Sequence, residues 1–348
     1  MRRIILTLFL SLLLTSHGGE FSKPAMLEDL WSGVLVPSFA DFHKQAQELK
    51  SATENFKANP TQDTLLAARK AWKSALLKWK LTTVAHFGPA LESGLLNRIY
   101  YWPSRRNSID KVLRDTAELT PEYLANLGVT AVSMGALEYL LFHATRDDAA
   151  LLSTFEGEAG ARRRAYVSAV ASEIERDSRE LLAAVSSEKA KTTFVNGGQE
   201  SLTAIVNLIA ATVEGQTVIR LRQGIQFSAS KLTSPDFFEG GNSGTSVELI
   251  TAALMGAKAY FTGAPSRLGL KDNLKQVGSP IQTSLLAQFD AAIAALEAIQ
   301  MPLADALKNK KELVEKAHDE CKKLEIMLKA DLTSALGVAL TFTSVDGD

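Results

Sequence analysis

Cysteine is nearly absent from this chain of 348 residues, which contains only Cys321. A single cysteine excludes an internal disulfide, so a folded chain of this size must rely on packing. Hydrophobic residues make up 46% of the sequence, which is enough to form a sizeable core. Because Cys321 lies in a charged helical stretch, we expect a surface or half-buried structural thiol rather than a nucleophile.

Long apolar runs are also scarce, and the clearest one stands near the N-terminus. Residues 4–14 form an apolar run that follows Arg2 and Arg3 and leads into Gly18 and Gly19. This order is typical of a secretion signal, which we place at residues 1–19. The run has about half of the roughly 20 residues that a transmembrane helix needs, so we expect no transmembrane segment in the mature chain. Since no cysteine stands just after the run, we predict a periplasmic or secreted protein that is not a lipoprotein.

An excess of positive charge is lacking as well. The chain has 38 Lys and Arg residues against 39 Asp and Glu residues, and no basic stripe with interleaved aromatic residues, so we expect no nucleic-acid partner. Common active-site motifs are absent, including HExxH, the P-loop, GxSxG, paired CxxC and the dinucleotide glycine fingerprint. A histidine-based metal site in the mature chain must draw on His43, His86, His143 and His318.

Helical periodicity, by contrast, is abundant. Apolar residues recur at steps of three or four along residues 31–56 and again along residues 65–83. Sustained period-two alternation is absent, apart from a short stretch at residues 338–345. We therefore predict an all-α fold of two helical-bundle halves with about four helices each. The halves are residues 20–193 and 199–348, and the joint between them is the glycine-containing segment 194–198.

Capping residues and prolines mark where several helices begin. Thr61 is suited to cap the second helix, and Thr120 followed by Pro121 opens another. The segment 129–142 is predicted as the most apolar helix of the mature chain. Further helices are predicted at residues 160–185, 202–222, 246–261, after Ser279 and Pro280, and at residues 303–336.

Glu138 is the most informative single residue, because it lies inside the apolar segment 129–142. A carboxylate that leaves water without a partner costs several kcal/mol. It must therefore meet an arginine, a histidine, a metal or backbone donors, or else stay protonated. Two interpretations are open: a structural pair with Arg98, Arg105 or Arg106, or a role in a ligand cleft.

Two histidines are relevant here, one at a predicted helix end and one just after the segment that contains Glu138. His86 precedes a glycine turn, where it could reach a cleft or cap the last carbonyls of a helix. His143 lies five residues after Glu138, which turns it about 140° around a regular helix, so we expect it at the surface.

The second half offers further polar candidates. Glu214 lies within an apolar helix, much as Glu138 does. Glu239 precedes a loop rich in glycine that contains Ser243, and the free N–H groups of this loop could hold an anion. The alternative is a capped loop, with Ser246 as the N-cap residue and Glu239 in solvent.

Several segments, taken in order, resemble the imelysin-like family of exported bacterial proteins, whose members are described as iron-regulated proteins or metallopeptidases. The segments are residues 71–79, 86–89, 102–103, 136–142, 239–246 and 342–348. The resemblance implies an internally duplicated fold of two bundles and a GxHxxE motif that forms a metal or catalytic site. In the register set by Glu138, Ser133 stands at the motif's glycine and Gly135 at its histidine, so only the glutamate matches.

Three functions remain open. The leading hypothesis is a periplasmic, non-enzymatic binding protein for iron or another metal, with a cleft near Glu138, His86 and Glu239 and with Ser243 and Glu214 as further candidates. The second is a metallopeptidase, in which an iron or zinc ion held by Glu138 and His86 activates water. The third is an envelope scaffold that binds a protein partner, with buried glutamates that serve structure only.

Overall fold

The regular structure is helical, as the periodicity predicts. A computed structural model describes residues 21–142, 147–158, 160–232 and 234–340, and these ranges contain no β-strand. The predicted signal at residues 1–19, His143 and residues 341–348 lie outside the described residues. The division into two halves at residues 194–198 stays a prediction.

The first half of the described chain consists mainly of helices. They are α1 (Lys23–Leu30), α2 (Val36–Ala58), α3 (Gln62–Leu81), α4 (Pro89–Glu92), α5 (Leu96–Ile99), α6 (Arg106–Arg114), α7 (Pro121–Ala125), α8 (Val129–Val132), α9 (Met134–Leu141), α10 (Asp148–Ser153), α11 (Ala161–Val185) and α12 (Glu188–Asn196). Helix α2 packs against both α3 and α11, and these three helices form the centre of the half.

The second half of the described chain is built from both long and short helices. They are α13 (Gln199–Val213), α14 (Ile219–Ala229), α15 (Ser246–Thr262), α16 (Leu270–Gln276), α17 (Ile281–Glu297), α18 (Leu303–Asn309), α19 (Lys311–Ile326) and α20 (Thr333–Leu336). Helix α17 packs against α15 and α19. The continuous helix Gln199–Ala229 is long and apolar enough to cross a membrane by length and composition alone, and 56% of its most apolar window is buried inside the protein.

The predicted helix starts at Thr61 and Thr120 are confirmed. The Thr61 side chain accepts a hydrogen bond from the backbone of Thr64, and the Thr64 hydroxyl accepts one from the backbone of Thr61, which together form a capping box. The Thr120 side chain accepts from the backbone of Tyr123, and Pro121 occupies the first turn of α7. Both starts depend on residues within one turn of each other, which is why the sequence predicts them.

π-Helical turns interrupt three of the long helices. They span Trp31–Leu35, Glu214–Val218 and Met327–Leu332. Each π turn shifts the helix by one residue, so the side chains on its two sides face different neighbours. The turn at Glu214–Val218 matters most for the site, because Gln216 lies in it and Arg220 just after it, and these contact Lys80 and the Trp102 ring of the first half.

The two halves approach each other most closely where α15 crosses the end of α3. A Cβ atom at Gly256 would lie 2.5 Å from the carbonyl oxygen of Leu81, so only glycine permits this crossing without a shift of the backbone. An exposed ion pair between Lys73 and Glu248, with 2.7 Å from nitrogen to oxygen, joins the same two helices. Gly256 therefore permits the close approach of α15 to the end of α3.

Two predicted helices are interrupted, and the prediction of single helices was wrong in both places. Segment 129–142 breaks at Ser133, whose backbone is extended, so α8 ends and α9 begins on either side of it. Segment 303–336 breaks at Lys310, which has φ of −147°, and divides into α18 and α19. In both cases an apolar pattern continues through the break, because both pieces still face the core.

Two expectations for single residues were also wrong. Cys321 is fully buried, since it lies on the same face of α19 as Ala317 and Leu324, and burial raises the pKa of its thiol to about 12. Ser246 is the first residue of α15 and not its cap, and Thr245 stands at the cap position without a capping hydrogen bond from its side chain.

We expect Gly256→Ala to destabilise the protein, because the added methyl group must displace backbone of α3. The expected loss is about 1–3 kcal/mol of unfolding free energy, measured by urea unfolding. Gly215→Ala is the matched control, since a Cβ atom there meets nothing within 4 Å, and it should stabilise by up to about 1 kcal/mol. Equal effects of the two substitutions would contradict the role assigned to the helix crossing.

Candidate functional site

Glu138 is buried in α9 and keeps only 5% of its surface exposed. Its Oε1 atom accepts hydrogen bonds from the backbone N–H of Ser243 at 3.0 Å and from the Ser243 hydroxyl at 2.9 Å. The interpretation as an arginine pair is wrong: among the described residues no arginine pairs with Glu138, and Arg98 pairs with Glu173 and Asp177 instead. The group that this loop contacts is the protein's own carboxyl group, that of Glu138.

Burial controls the protonation of this carboxyl group. Burial, and to a smaller extent the charge of Glu239, raise the pKa of Glu138 to about 7, although the hydrogen bonds from Ser243 oppose the rise. The cause is that a buried carboxylate loses its hydration, and two neutral donors restore only part of it. Glu138 therefore changes its charge near neutral pH.

Glu239 lies in the interior and not in solvent, so that expectation was wrong. Its Oε1 atom is 2.5 Å from Nζ of Lys80, its Oε2 atom is 3.3 Å from Nε of Arg220, and its side chain is 7% exposed. Burial alone would raise the pKa of Glu239, but the charges of Lys80 and Arg220 outweigh burial and hold it below its usual range. Glu239 is therefore ionised at neutral pH.

Lys80 carries the positive charge of its pair with Glu239 and is as deeply buried as that glutamate. Its Nζ atom also donates to Oε1 of Gln216 at 2.8 Å, and it lies 5.1 Å above the centre of the Tyr100 ring. Burial lowers the pKa of Lys80, and the charge of Glu239 opposes this change. The first half thus supplies the lysine and the second half supplies the carboxylate and the amide.

A cavity of about 270 Å³ adjoins this buried pair. Among the residues that line it are Lys80, Glu239, Arg220, His86 and Trp102. The Arg220 guanidinium lies 4.6 Å from the centre of the Trp102 ring, and this cation–π contact stabilises its position. The cavity is small enough for a compact ligand and is lined by several hydrogen-bonding groups.

His86 lines the same cavity but is already hydrogen-bonded. Its Nε2 atom is 2.9 Å from the Thr82 hydroxyl, and its ring packs 4.8 Å from the ring centre of Trp79. Burial and then the charge of Lys80 lower the pKa of His86 to about 3. The imidazole is therefore neutral over the physiological range.

Glu214 is not part of this group. Its carboxylate pairs with Nζ of Lys329 at 2.6 Å, between two of the π turns of the second half. Of the predicted site residues, Glu138, Ser243, Glu239 and His86 therefore lie around one region, and Glu214 faces another.

Sequence reasoning missed Lys80, Arg220, Tyr100 and Gln216. Lys80 follows Leu76 by one helical turn and so shares its buried face, which was the only local signal. Arg220 is a charged residue in a long apolar helix, as Glu214 is, so it could have been singled out for the same reason. Tyr100 and Gln216 gave no signal, because their roles depend on neighbours distant in sequence.

The residues present do not fit a transition-metal centre of the type that the family motif implies. The described part of the chain contains no group of three or more His, Cys, Asp or Glu side chains that could share an ion. Nε2 of His86 contacts Thr82, Glu138 is bound by Ser243, and the ammonium group of Lys80 is close to both Glu239 and His86. Soft or borderline metals need several neutral nitrogen or anionic ligands, which this set does not supply.

Gly135, which stands at the motif's histidine position, is closely covered by backbone. A Cβ atom built on Gly135 would lie 2.4 Å from the carbonyl oxygen of Tyr101. No side chain fits at this position unless the segment that contains Tyr101 moves away. The motif position is thus filled by main chain, and the glutamate three residues later is the only part of the motif that remains.

We expect the stability of the protein to fall as Glu138 ionises. Below pH 4.5 the carboxyl is protonated in both the folded and the unfolded chain, whereas between about pH 4.5 and 7 the unfolded chain loses the proton first. Wild type should therefore lose on the order of 3 kcal/mol more unfolding free energy than Glu138→Gln between pH 4.5 and 8. Urea unfolding at several pH values measures this difference.

The exposed glutamate of the Lys73 pair provides the control for this experiment. Glu248→Gln removes a carboxylate of the same type from the surface, and its pH profile should run parallel to that of wild type. A Glu138→Gln profile that also runs parallel to wild type would show that burial does not shift this group.

Comparison with known proteins agrees with the fold. The model of the family described as peptidase M75, imelysin, matches residues 35–326. Iron-regulated protein A of Synechococcus elongatus (strain ATCC 33912 / PCC 7942 / FACHB-805) is 30% identical over 112 residues, which are 32% of this chain and 30% of that relative's length. The chain thus matches less than a third of this curated relative.

Two solved structures share the fold over nearly the whole chain. One, described as an iron-regulated protein A precursor from Parabacteroides distasonis ATCC 8503, has a TM-score of 0.79 at 18% identity and covers 92% of this chain and 97% of its own. The other, an imelysin-like protein from Psychrobacter arcticum 273-4, has a TM-score of 0.74 at 19% identity and covers 93% and 99%. With a family match that spans most of its length, this chain belongs to the imelysin family.

Proposed function

We propose that this protein is an exported binding protein that takes part in bacterial iron handling, that it does not hydrolyse peptides, and that its ligand occupies the cavity beside Glu239. The link to iron is supported by the names of two relatives, both described as iron-regulated protein A. Export is supported by the signal pattern at residues 1–19 and by the word precursor in the description of one relative.

The close approach of the Tyr101 carbonyl to Gly135 is the observation that carries the proposal. A metallopeptidase of this family would need a nitrogen ligand at the motif's histidine position, and main chain occupies that space in this protein. Without that ligand, Glu138 alone is a poor site for a metal that must activate water. The polar cavity nearby retains the features of a binding site: concave shape, buried charges and aromatic walls.

Iron uptake by cells tests the proposal directly. A strain without this gene should accumulate less radioactive iron under iron limitation, and the wild-type gene should restore uptake. Trp102→Ala should fail to restore it when exported in equal amount, because it removes the ring beneath Arg220. Lys73→Met, which breaks an exposed pair outside the cavity, is the control and should restore uptake.

Each part of the proposal has its own contrary outcome. Normal uptake in the deletion strain would reject the role in iron handling. Full restoration by Trp102→Ala would reject the cavity as the site. Hydrolysis of a mixed peptide library by the purified protein, lost on addition of a chelator and in Glu138→Gln, would reject the non-enzymatic part and favour the metallopeptidase hypothesis.

We expect that Gly135→His, which restores the family motif residue, will not restore a metal site. The imidazole must displace the main chain at Tyr101, so unfolding free energy should fall by about 1–3 kcal/mol or more. Added zinc should leave the melting temperature of the variant unchanged, whereas a formed site would raise it. Gly215→His, at a position with open space around it, is the control for the change of residue type. Stoichiometric zinc binding by a folded Gly135→His protein would contradict this expectation.

A further inference from the structure

The charges around the cavity favour an anion over a cation. Lys80 and Arg220 contribute two positive charges, and Glu239 contributes one negative charge that both of them share. His86 adds no charge, because its imidazole is neutral. Burial and the charge of Glu239 raise the pKa of Glu138, so Glu138 is partly protonated near neutral pH. A bare metal cation would therefore meet an excess of positive charge.

Two buried donors near the cavity face the Glu239 carboxylate with poor hydrogen-bond geometry. The Tyr100 hydroxyl lies beside the Glu239 carboxylate without a hydrogen bond of ordinary geometry, and Nε of Arg220 faces the same carboxylate without aligned geometry. Buried polar groups in native proteins are nearly always well paired, so each poorly aligned one requires an explanation. Both groups are N–H or O–H donors, and a ligand with acceptor oxygens would satisfy them.

The depth of the charged groups indicates the direction from which a ligand arrives. Lys80 and Glu239 are 6% and 7% exposed, whereas the Arg220 side chain is 23% exposed. Arg220 therefore stands between the buried pair and solvent, and it lies over the Trp102 ring at 4.6 Å. A cation held in place by an aromatic face loses little side-chain freedom when it binds an anion.

The geometry points to an oxygen-rich anion as the ligand of this cavity, held by Arg220 and the Tyr100 hydroxyl against the Trp102 wall. This inference rests on the proposed function and gives it a ligand class: iron would enter the cavity as an anionic complex whose carboxylate oxygens face the protein, and not as the bare ion. The protein would then need no metal-ligand cluster, because the chelator fills the coordination sphere and the protein recognises the charge of the complex.

Calorimetric titration of the full mature protein tests this inference. The probes are citrate, ferric citrate, inorganic phosphate, the neutral triamide of citrate, and ferrous and zinc ions alone. We expect citrate and ferric citrate to bind, the triamide and the bare ions not to bind, and affinity to fall as salt concentration rises. Binding of phosphate with equal affinity would identify a general oxyanion site, and weaker phosphate binding would identify a carboxylate site.

Two variants assign the contacts to residues. Arg220→Met removes the guanidinium but leaves the Lys80 and Glu239 pair intact, and it should weaken binding of citrate by about ten- to a hundredfold. Tyr100→Phe removes only the hydroxyl and should weaken binding by about two- to tenfold. Lys73→Met, outside the cavity, should bind as wild type does. Circular dichroism confirms that each variant is folded.

Several results would overturn the inference. They are failure of citrate and ferric citrate to bind wild type, equal binding of the neutral triamide, or unchanged affinity in both Arg220→Met and Tyr100→Phe. Binding of a bare ion that Trp102→Ala abolishes would reject the anion but keep the cavity as the binding site. If citrate binds as expected while the deletion strain takes up iron normally, the anion site stands and the proposed role in iron handling fails.

Discussion

Two buried carboxyl groups link the segment 239–245 to the first half of the chain. The arrangement of the site depends on these two contacts. At one end its own Glu239 pairs with Lys80, 159 residues earlier in the chain. At the other end Ser243 donates its N–H and hydroxyl to Glu138, 105 residues earlier. Because the segment can satisfy both contacts in only one position, it fixes how the second half meets α3 and α9.

Stability alone does not account for these buried charges. Replacing a buried ion pair by well-packed apolar residues is often neutral or stabilising, whereas removing one partner is costly. Lys80, Arg220 and Glu239 also line an open space, and the Tyr100 hydroxyl and Nε of Arg220 are poorly aligned with the carboxylate that they share. Perturbed ionisable groups are common at functional sites, and the combination with a cavity is what separates this cluster from the ion pairs on the surface.

The sequence predicted the parts of the structure that local interactions determine. The helices, the all-α class and the caps at Thr61 and Thr120 follow from patterns within a few turns of chain. Glu138 could be singled out because a carboxylate in an apolar helix requires a partner. The identity of that partner could not be predicted, since Ser243 is a neutral residue in a distant loop. The breaks at Ser133 and Lys310 were missed because the apolar pattern continues through them.

The contact at Gly135 connects the lost motif histidine to the cavity. The Tyr101 carbonyl packs closely against Gly135. The next residue, Trp102, makes the cation–π contact with Arg220. A side chain at position 135 would have to displace the Tyr101 carbonyl, which belongs to the residue before Trp102. Glu138 remains useful after the histidine is gone, because without it the N–H of Ser243 would lose its acceptor. The packing of the Tyr101 carbonyl on Gly135 therefore leaves no room for a side chain there unless the segment next to Trp102 moves.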